Sequence, residues 1–405
     1  MKIERPRGTR DFLPEEMERR RAVEKVMREI AESFGYREIS TPTFEHLELF
    51  TLKSGQDIVE EIYAFTDKSG RNLALRPELT APVMRMFVNE CSVMPRPMRF
   101  YYFSNCFRYE RPQKGRYREF WQFGVELIGS DKPESDAEVI LLAYQIMKSL
   151  NVRFSLHIGH VGLLRDVLSD VRDKDRAMRL IDKKDWKGLE MMLEEEGFSE
   201  IFHTVREISE AESLNEVRSI YPDFDYSHLE SVFGILESLD LDFTPDFGIA
   251  RGLDYYTGVV FEMYAEGLGA QKQVCGGGSY RLAKLFGGDD VPSTGFAIGF
   301  DRVVEVCSIE IERKPVAVVV GFGDSLRAFR VAEMLRNLGI TALVDVMDRS
   351  VRKQLSFADS INADFAVFAG EELDRGKVRI KNLRTKKQED VDLESIGSYF
   401  SEEIT

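Results

Sequence analysis

Two runs of aromatic and β-branched residues, separated by a short basic segment, constrain the fold of this chain more than any other feature of its sequence. The first run reads MRFYYFSNCFRYE and the second reads REFWQFGVELIG, and both lie between residues 98 and 129. Runs of this composition that follow one another closely are typical of paired β-strands. The pattern therefore predicts a long antiparallel hairpin with an unusually long, charged tip.

The hairpin tip is a cationic cluster in an acidic protein. Residues 108–118 hold five positive charges and one acid, Glu110, whereas the whole chain of 405 residues has a formal net charge of −15. A local positive cluster against such a background suits one anionic ligand better than a long nucleic-acid duplex. Taken as a charge run alone, the segment could equally be a solvated surface loop.

The chain divides by composition into four segments. Residues 1–164 begin with an amphipathic helix, predicted over Pro14–Phe34, and include the hairpin. Residues 165–240 are helical in pattern and acidic, with 10 Lys and Arg against 20 Asp and Glu, and we expect a helical insertion there. Strands return in residues 241–312. Residues 313–405 alternate apolar strands with helices, which predicts a small α/β domain with both sheet faces covered.

The sequence also excludes several classes of protein. No run approaches the roughly 18 apolar residues that a membrane helix needs, and the charged first residues do not form a secretory signal. The cysteines are far apart and form no Cys-x-x-Cys pair; they are Cys91, Cys106, Cys275 and Cys307. This spacing speaks against a disulfide framework and against a zinc ribbon. We therefore expect a cytoplasmic protein with no membrane partner and no zinc.

Three arginines on or beside predicted strands are candidates for binding a polyanion. Arg108 and Arg116 belong to the hairpin, and Arg302 follows GFAIGF, a strand whose small residues permit close approach of a flat ligand. A guanidinium held on a strand can clamp a phosphate with two hydrogen bonds, and a triphosphate needs several such clamps. For any one of these arginines alone, a surface salt bridge is the simpler explanation.

Polar side chains on strands and turns form a second set of candidates. Gln122, Gly124 and Glu126 are spaced by two on the second hairpin strand and so share one of its faces, which indicates a small polar ligand there. Glu78 and Thr80 form a pair that can hold an ammonium group. The same pair could instead cap the start of a helix.

The segment from Arg251 to Tyr256, near a predicted strand, is a further candidate, and a pair of histidines is a weaker one. Adjacent residues of a strand point to opposite faces, so at most one of Tyr255 and Tyr256 is expected to face a given pocket, and core packing is the alternative for both. His157 and His160 are three residues apart, but no acid or cysteine completes a zinc ligand set.

Together these segments resemble the class II aminoacyl-tRNA synthetases, and specifically the histidyl-tRNA synthetase family. GYREISTPTFEH resembles class II motif 1, FRYERPQKGRYREFWQFGVELIG resembles motif 2 and GFAIGFDRVVEV resembles motif 3. RGLDYYTGVVFE and LRPELTAPVMR are similar to sequences of the histidyl family, and RKQLSFADSINADFAVFAGEEL and KNLRT are similar to its anticodon-binding domain. The resemblance implies an α+β catalytic domain built on an antiparallel sheet with a helical insertion, followed by a C-terminal α/β anticodon-binding domain.

The resemblance also implies a reaction and the residues that perform it. It implies ligation of histidine to tRNA(His) through histidyl-adenylate by a homodimer, with ATP as substrate, Mg²⁺ bound to the triphosphate and no prosthetic group. Catalytic roles are implied for Arg251 and Arg108. The implied histidine-binding residues are Glu78, Thr80, Arg108, Gln122, Glu126, Arg251, Tyr255 and Tyr256. The implied ATP-binding residues are Arg108, Glu110, Arg116 and Arg302, and Gln113 and Arg118 are implied at the tRNA acceptor end.

One segment departs from the family pattern. The family usually reads GGRYDGL where this chain reads GGSYRL. Tyr280 matches the pattern, whereas Ser279 and Arg281 do not and receive no role. The adjacent glycines could form a phosphate-binding nest, although they lack the spacing of the Rossmann and Walker motifs.

Two other functions are compatible with parts of the sequence. The regulatory subunit of ATP phosphoribosyltransferase resembles these synthetases and binds histidine without ligating it, but its family typically lacks the C-terminal domain and part of the arginine set. A catalytically silent RNA-binding or sensor module would keep the C-terminal domain and lose the ATP contacts. Because this chain has both features, the ligase is the better interpretation.

Overall fold

The computed structural model describes residues 3–52, 61–110, 116–250, 255–269, 272–311 and 313–404. Contacts between residues divide the chain into two compact units, Met1–Ile309 and Glu310–Thr405. Helices do occupy most of the expected insertion, residues 165–240, and they share the hydrophobic core of the first unit.

The first unit is an α+β structure. Its strands are β1 (Arg37–Glu38), β2 (Phe44–His46), β3 (Ala64–Thr66), β4 (Asn72–Leu75), β5 (Met98–Phe107), β6 (Glu119–Ile128), β7 (Phe154–His160), β8 (Thr244–Pro245), β9 (Tyr256–Ala265), β10 (Gln273–Tyr280) and β11 (Ser293–Gly299). Its α-helices are α1 (Pro14–Ser33), α2 (Leu47–Thr51), α3 (Thr80–Met86), α4 (Pro133–Ser149), α5 (Val161–Val167), α6 (Lys174–Asp182), α7 (Trp186–Glu196), α8 (Ile201–Glu210), α9 (Leu214–Ile220), α10 (Ser227–Ser238) and α11 (Phe300–Val306). A π-helical turn follows α3 at Phe87–Cys91, and a 3₁₀ turn covers Ala283–Phe286.

Eight strands of this unit form one sheet, in the order β1-β5-β6-β11-β10-β9-β7-β8. The central pairs are antiparallel, and the short strands β1 and β8 pair in parallel at the two edges. The predicted hairpin is confirmed: β5 and β6 pair from Met98 opposite Ile128 to Phe107 opposite Glu119. The two long strands of this hairpin are thus neighbours in the sheet, between β1 and β11.

The segment that follows α1 is divided between two sheets. Its first residues form β1, and its last residues form β2, which belongs to a separate three-stranded sheet in the order β2-β4-β3. Pro42 lies between the two pieces. Since proline has no N–H to donate to a ladder, it marks the point where the chain leaves the first sheet.

Amphipathic helices cover the large sheet. The helix predicted over Pro14–Phe34 is confirmed as α1, which ends one residue earlier and buries Val23, Met27 and Ala31 on one face. Phe34 occupies the C-cap, and Gly35 follows with a φ of 81°, a conformation that favours glycine. Helix α10 of the insertion packs against α4, so the two helices extend one continuous core.

The second unit contains the predicted alternation of strands and helices. Its elements are β12 (Val316–Gly321), α12 (Ser325–Asn337), β13 (Thr341–Val344), α13 (Val351–Ser360), β14 (Phe365–Ala369), β15 (Lys377–Asn382), β16 (Gln388–Asp392) and α14 (Ile396–Ile404), with 3₁₀ turns at Glu371–Arg375 and Leu393–Ser395. The strand order is β13-β12-β14-β15-β16; the first three are parallel, and β15 and β16 add antiparallel pairs.

Both faces of the parallel strands are covered, as predicted. Along β12, Ala317 and Val319 belong to one hydrophobic cluster, whereas Val318 and Val320 belong to another. Such alternation between two cores is what a buried sheet requires.

Among the helices in the described part of the chain, none combines the length and the apolar composition needed to cross a membrane.

Candidate active site

A cavity of about 600 Å³ lies over the middle of the large sheet. Its lining comes from β6, β10 and β11, from the starts of α3 and α11, and from the base of the hairpin tip. Most of the candidate residues meet here: Glu78, Thr80, Arg108, Glu110, Arg116, Gln122, Glu126, Tyr255, Tyr256 and Arg302. Arg251 and Gln113 lie outside the described residues.

The Glu126 carboxylate is buried at one end of this cavity and accepts hydrogen bonds from three hydroxyl groups. Tyr280 Oη donates to its Oε2 at 2.6 Å, and Thr80 Oγ1 and Tyr102 Oη donate to its Oε1 at 2.9 and 3.3 Å. A Cβ added to Gly295 would lie 2.1 Å from Oε2, so the glycine provides the space that the carboxylate occupies. Gly295, Ala297 and Gly299, the small residues before Arg302, all line the cavity, and the approach of a flat ligand over them stays a prediction.

The surroundings of Glu126 oppose its negative charge. Burial raises the pKa of this carboxyl to about 8, against the lowering effect of the Tyr280 and Thr80 hydroxyls, and the neighbouring Glu78 adds to the increase. A charge that is poorly stabilised in the empty cavity becomes favourable when a ligand brings N–H donors or a positive charge to it. This end of the cavity is therefore suited to a ligand that donates N–H groups or carries a positive charge.

Glu78 caps the start of α3 and also faces the cavity. Its carboxylate accepts hydrogen bonds from the backbone N–H groups of Thr80 at 2.7 Å and Ala81 at 3.0 Å. The capping alternative is thus confirmed for Glu78. Burial raises the pKa of Glu78, and the two backbone N–H groups and Arg108 act in the opposite direction. Two carboxyl groups, Glu78 and Glu126, consequently border the same polar space.

We expected a small polar ligand on the strand face shared by Gln122, Gly124 and Glu126, but Gly124 has another role there. Gln122 lines the cavity and accepts a hydrogen bond from the Cys106 thiol at 3.3 Å. A Cβ on Gly124, however, would come within 2.4 Å of the Tyr102 ring. The glycine is therefore needed by Tyr102, which bonds to Glu126, and does not leave space for a ligand.

Both Tyr255 and Tyr256 line the cavity, so the prediction that at most one of them faces a given pocket is wrong. Strand β9 begins at Tyr256, and Tyr255 precedes it, so the strict alternation of a strand does not apply to this pair. Their ring centroids are 4.8 Å apart, and the Tyr255 ring lies 5.6 Å from that of Tyr280. The three rings form an aromatic wall near Glu126.

The other end of the cavity concentrates positive charge. Arg108 Nε donates to a main-chain carbonyl at 2.9 Å, and Arg302 Nη1 donates to another at 2.7 Å. Arg116 Nε lies 3.2 Å from Oε2 of Glu110. Burial lowers the pKa of Arg302, and the charges of Arg116 and Arg108 lower it further. The mutual repulsion of three guanidinium groups is relieved by a polyanion.

Arg118 immediately precedes β6 and is not among the residues that line the cavity. Its guanidinium lies 3.9 Å from the centre of the Tyr109 ring, and its Nε donates to the backbone oxygen of Glu110 at 3.2 Å. The backbone N–H of Arg118 donates to the carbonyl of Gly8 at 2.8 Å.

Tyr102 is a site residue that sequence reasoning missed, although a signal for it was present. In the hairpin register Tyr102 lies directly opposite Gly124. An aromatic residue that pairs across strands with a glycine can lie over it, because the glycine has no side chain. This pairing places the Tyr102 hydroxyl beside Glu126.

The described residues contain no group of three or more His, Cys, Asp or Glu side chains arranged to hold a metal ion. His157 Nδ1 lies 3.4 Å from an Asp246 oxygen, and the His160 ring packs against the edge of Phe224. Burial lowers the pKa of His160 to about 4.

Comparison with known proteins identifies the family that this cavity serves. The histidyl-tRNA synthetase family model matches residues 8–303, which include all the described lining residues. The chain belongs to the histidyl-tRNA synthetase family. Residues 315–403 match the model of an anticodon binding domain. The prediction of both the family and the C-terminal domain is thereby confirmed.

Full-length relatives and solved structures agree with this assignment. A histidine–tRNA ligase from Archaeoglobus fulgidus is 64% identical over 397 residues, which cover 96% of this chain and 97% of the relative. The structure of apo histidyl-tRNA synthetase from S. aureus has a TM-score of 0.74 at 29% identity and covers 98% of this chain and 100% of its own. A Bacillus halodurans protein described as an ATP phosphoribosyltransferase regulatory subunit/histidyl-tRNA synthetase has a TM-score of 0.75 at 26% identity over 88% of this chain and 96% of its own.

Proposed function

We propose that the cavity joins histidine to ATP and that the protein then transfers the histidyl group to tRNA(His). Family membership and near full-length similarity to histidine–tRNA ligases support the reaction. The observation that carries the proposal is that one cavity has two chemically different ends. One end holds buried carboxyl groups, and the other holds several arginines.

Histidine is proposed to bind with its imidazole at Glu126. An imidazole N–H is the donor that the carboxylate requires, and Tyr256 borders the same end of the cavity. The polar groups of Glu78, Thr80 and Gln122 would hold the α-ammonium, with Tyr255 beside them. A site that hydrogen-bonds both ring nitrogens discriminates against analogues that lack them far better than an apolar pocket does.

ATP is proposed to bind at the arginine end. Arg108 would hold the α-phosphate and the histidine carboxylate, Arg116 the γ-phosphate and Arg302 the end of the triphosphate, with Glu110 beside the adenine. Arg251 would lie between the two reacting anions; this role rests on the family resemblance, because Arg251 is outside the described residues. Mg²⁺ would bind through phosphate oxygens of the triphosphate.

The adenylation step joins two anions, so its catalysis is mainly electrostatic. A carboxylate oxygen of histidine attacks the α-phosphorus, the bond from that phosphorus to the β-phosphate oxygen breaks, and pyrophosphate leaves. Negative charge then accumulates between Arg108 and the other arginines, which are already held in place and need no reorganisation. Fixing both reactants in one cavity supplies the orientation that the attack requires.

Exchange of labelled pyrophosphate into ATP tests this proposal. We expect exchange with histidine and none above background with the other nineteen amino acids, since exchange requires reversible formation of the adenylate. A regulatory subunit of ATP phosphoribosyltransferase would bind histidine without exchange. Absence of exchange with histidine, or exchange driven by another amino acid, would contradict the proposal.

The tRNA is proposed to contact both units. The second unit would bind the anticodon, in keeping with its family match, and Gln113 and Arg118 would lie near the acceptor end. The insertion, residues 165–240, would approach the acceptor arm through a local basic patch, because its net charge is −10 from 10 Lys and Arg and 20 Asp and Glu. We further propose that these reactions take place in the cytoplasm.

A homodimer is proposed from the three-stranded sheet, which exposes apolar side chains. Phe44 on β2 and Phe65 on β3 are 52% and 43% exposed, and their rings pack edge to face with centroids 6.3 Å apart. We expect sedimentation velocity to show twice the mass of one chain at micromolar concentration. Phe44→Ser should shift the equilibrium toward monomer, whereas Leu239→Ser, at a similarly exposed position on the insertion, should not. A wild-type protein that sediments as a monomer would contradict this proposal.

A further inference from the structure

The residues that precede α1 contact the two elements that carry the cavity arginines. Gly8 has a φ of 86°, and its carbonyl accepts the N–H of Arg118 at 2.8 Å. A Cβ on Gly8 would lie 2.8 Å from the Arg118 side chain, so this close approach depends on glycine. The segment is therefore packed against the base of the hairpin tip, immediately after Arg116.

Arg10, two residues later, joins the hairpin tip to α11. Its guanidinium lies 3.8 Å from the centre of the Tyr117 ring, and its Nη2 donates to Asp301 Oδ1 at 2.8 Å. Tyr117 follows Arg116 in the chain, and Asp301 precedes Arg302. One side chain thus contacts the immediate neighbours of two arginines that face the cavity from different elements.

Asp301 keeps other partners besides Arg10. Arg20, which is buried in α1, donates to the same Oδ1 at 2.6 Å, and the N–H of Trp121 donates to Oδ2 at 2.7 Å. Removal of Arg10 therefore leaves the buried carboxylate neutralised and hydrogen-bonded. Neither Arg20 nor Trp121 replaces the contact that Arg10 makes with Tyr117.

We infer that Arg10 is a positioning residue for the triphosphate: it sets the place of Arg116 relative to Arg302 by stacking on Tyr117 while it is bound to Asp301. This inference rests on the proposed function, since it takes both arginines as ATP ligands. In the described part of the chain, the contacts of Arg10 do not include Glu126 or its hydroxyl partners, so we expect histidine binding to be independent of it.

Arg10→Met tests the inference, with Arg21→Met as the matched control on an exposed part of α1. We expect Arg10→Met to raise the KM for ATP in exchange, and the Kd for ATP measured by calorimetry, on the order of tenfold, the range of a desolvated cation–π contact. The Kd for histidine and the Tm should stay near wild type. Arg10→Lys should keep the Tm and still weaken ATP binding, because an ammonium lacks the planar face that stacks on Tyr117.

Tyr117→Leu supplies a second, independent variant. Because Tyr117 itself lines the cavity, this variant should raise the KM for ATP at least as much as Arg10→Met does. Adding Arg10→Met to it should cause no further loss, since both changes remove the contact between Arg10 and Tyr117. The inference is overturned if Arg10→Met binds ATP with wild-type affinity, or if its ATP and histidine affinities fall together. Failure of the proposed function is a separate outcome, because the wild-type protein would then show no pyrophosphate exchange that depends on histidine.

Discussion

Replacement of Arg108 by alanine should lower kcat/KM for histidine-dependent pyrophosphate exchange on the order of 10²–10³-fold, the usual loss when one fixed charge stabiliser is removed. The Arg108 guanidinium is held by a 2.9 Å hydrogen bond from Nε to Pro77 and lies 5.2 Å from the centre of the Phe120 ring. Its charge also opposes the rise in the pKa of the Glu78 carboxyl that burial causes. The charge is thus placed between the proposed histidine and ATP subsites.

Arg108→Lys separates charge from geometry. A lysine keeps the positive charge but cannot form the planar pair of hydrogen bonds, so we expect an intermediate loss. Arg71→Ala, at an exposed turn, is the matched control and should retain wild-type exchange. A folded Arg108→Ala protein whose exchange rate is within threefold of wild type would exclude Arg108 from the chemistry.

The elements that could be predicted from the sequence are those whose partners are close in the chain. The hairpin was predictable because β5 and β6 are consecutive strands that pair with each other. A slip of one residue in their register would turn the wrong side chains toward the core. The parallel strands of the second unit were predictable because their apolar runs are continuous. Strand β16, by contrast, was not predicted, since its residues are partly or fully exposed and polar and carry little hydrophobic signal.

The details of the site could not be predicted because they depend on contacts between distant segments. Tyr280 and Glu126 are 154 residues apart, and only the pairing of β6 with β11 and of β11 with β10 brings them together. The space at Gly124 is filled by Tyr102 from the neighbouring strand. Chemistry and spacing could therefore suggest which residue types bind a ligand. They could not show which polar groups satisfy one another when the cavity is empty.

Glu126→Gln should weaken histidine binding about 10- to 100-fold, the range for hydrogen bonds to a charged group, and should leave ATP binding within about twofold. An amide oxygen is a poorer acceptor for an imidazole N–H than a carboxylate, and the amide adds a donor where Tyr280 and Thr80 already donate. Calorimetric titration of each ligand separately measures both effects. Glu138→Gln, which alters a carboxylate bound to Arg99 outside the cavity, is the matched control.

The raised pKa of Glu126 predicts that affinity for histidine depends on pH, and Glu126→Gln should abolish this dependence. The pKa of this carboxyl is raised to about 8 by burial, so at pH 7 most of the empty protein carries the neutral form, which lacks the acceptor charge for the imidazole. Because binding then requires loss of that proton, affinity for histidine should increase several-fold between pH 7 and 8.5 and level off above the pKa. Glu126→Gln should show a nearly flat profile over this interval. A wild-type profile that is flat, or a variant that retains the slope, would assign the proton to another group and place the imidazole away from Glu126.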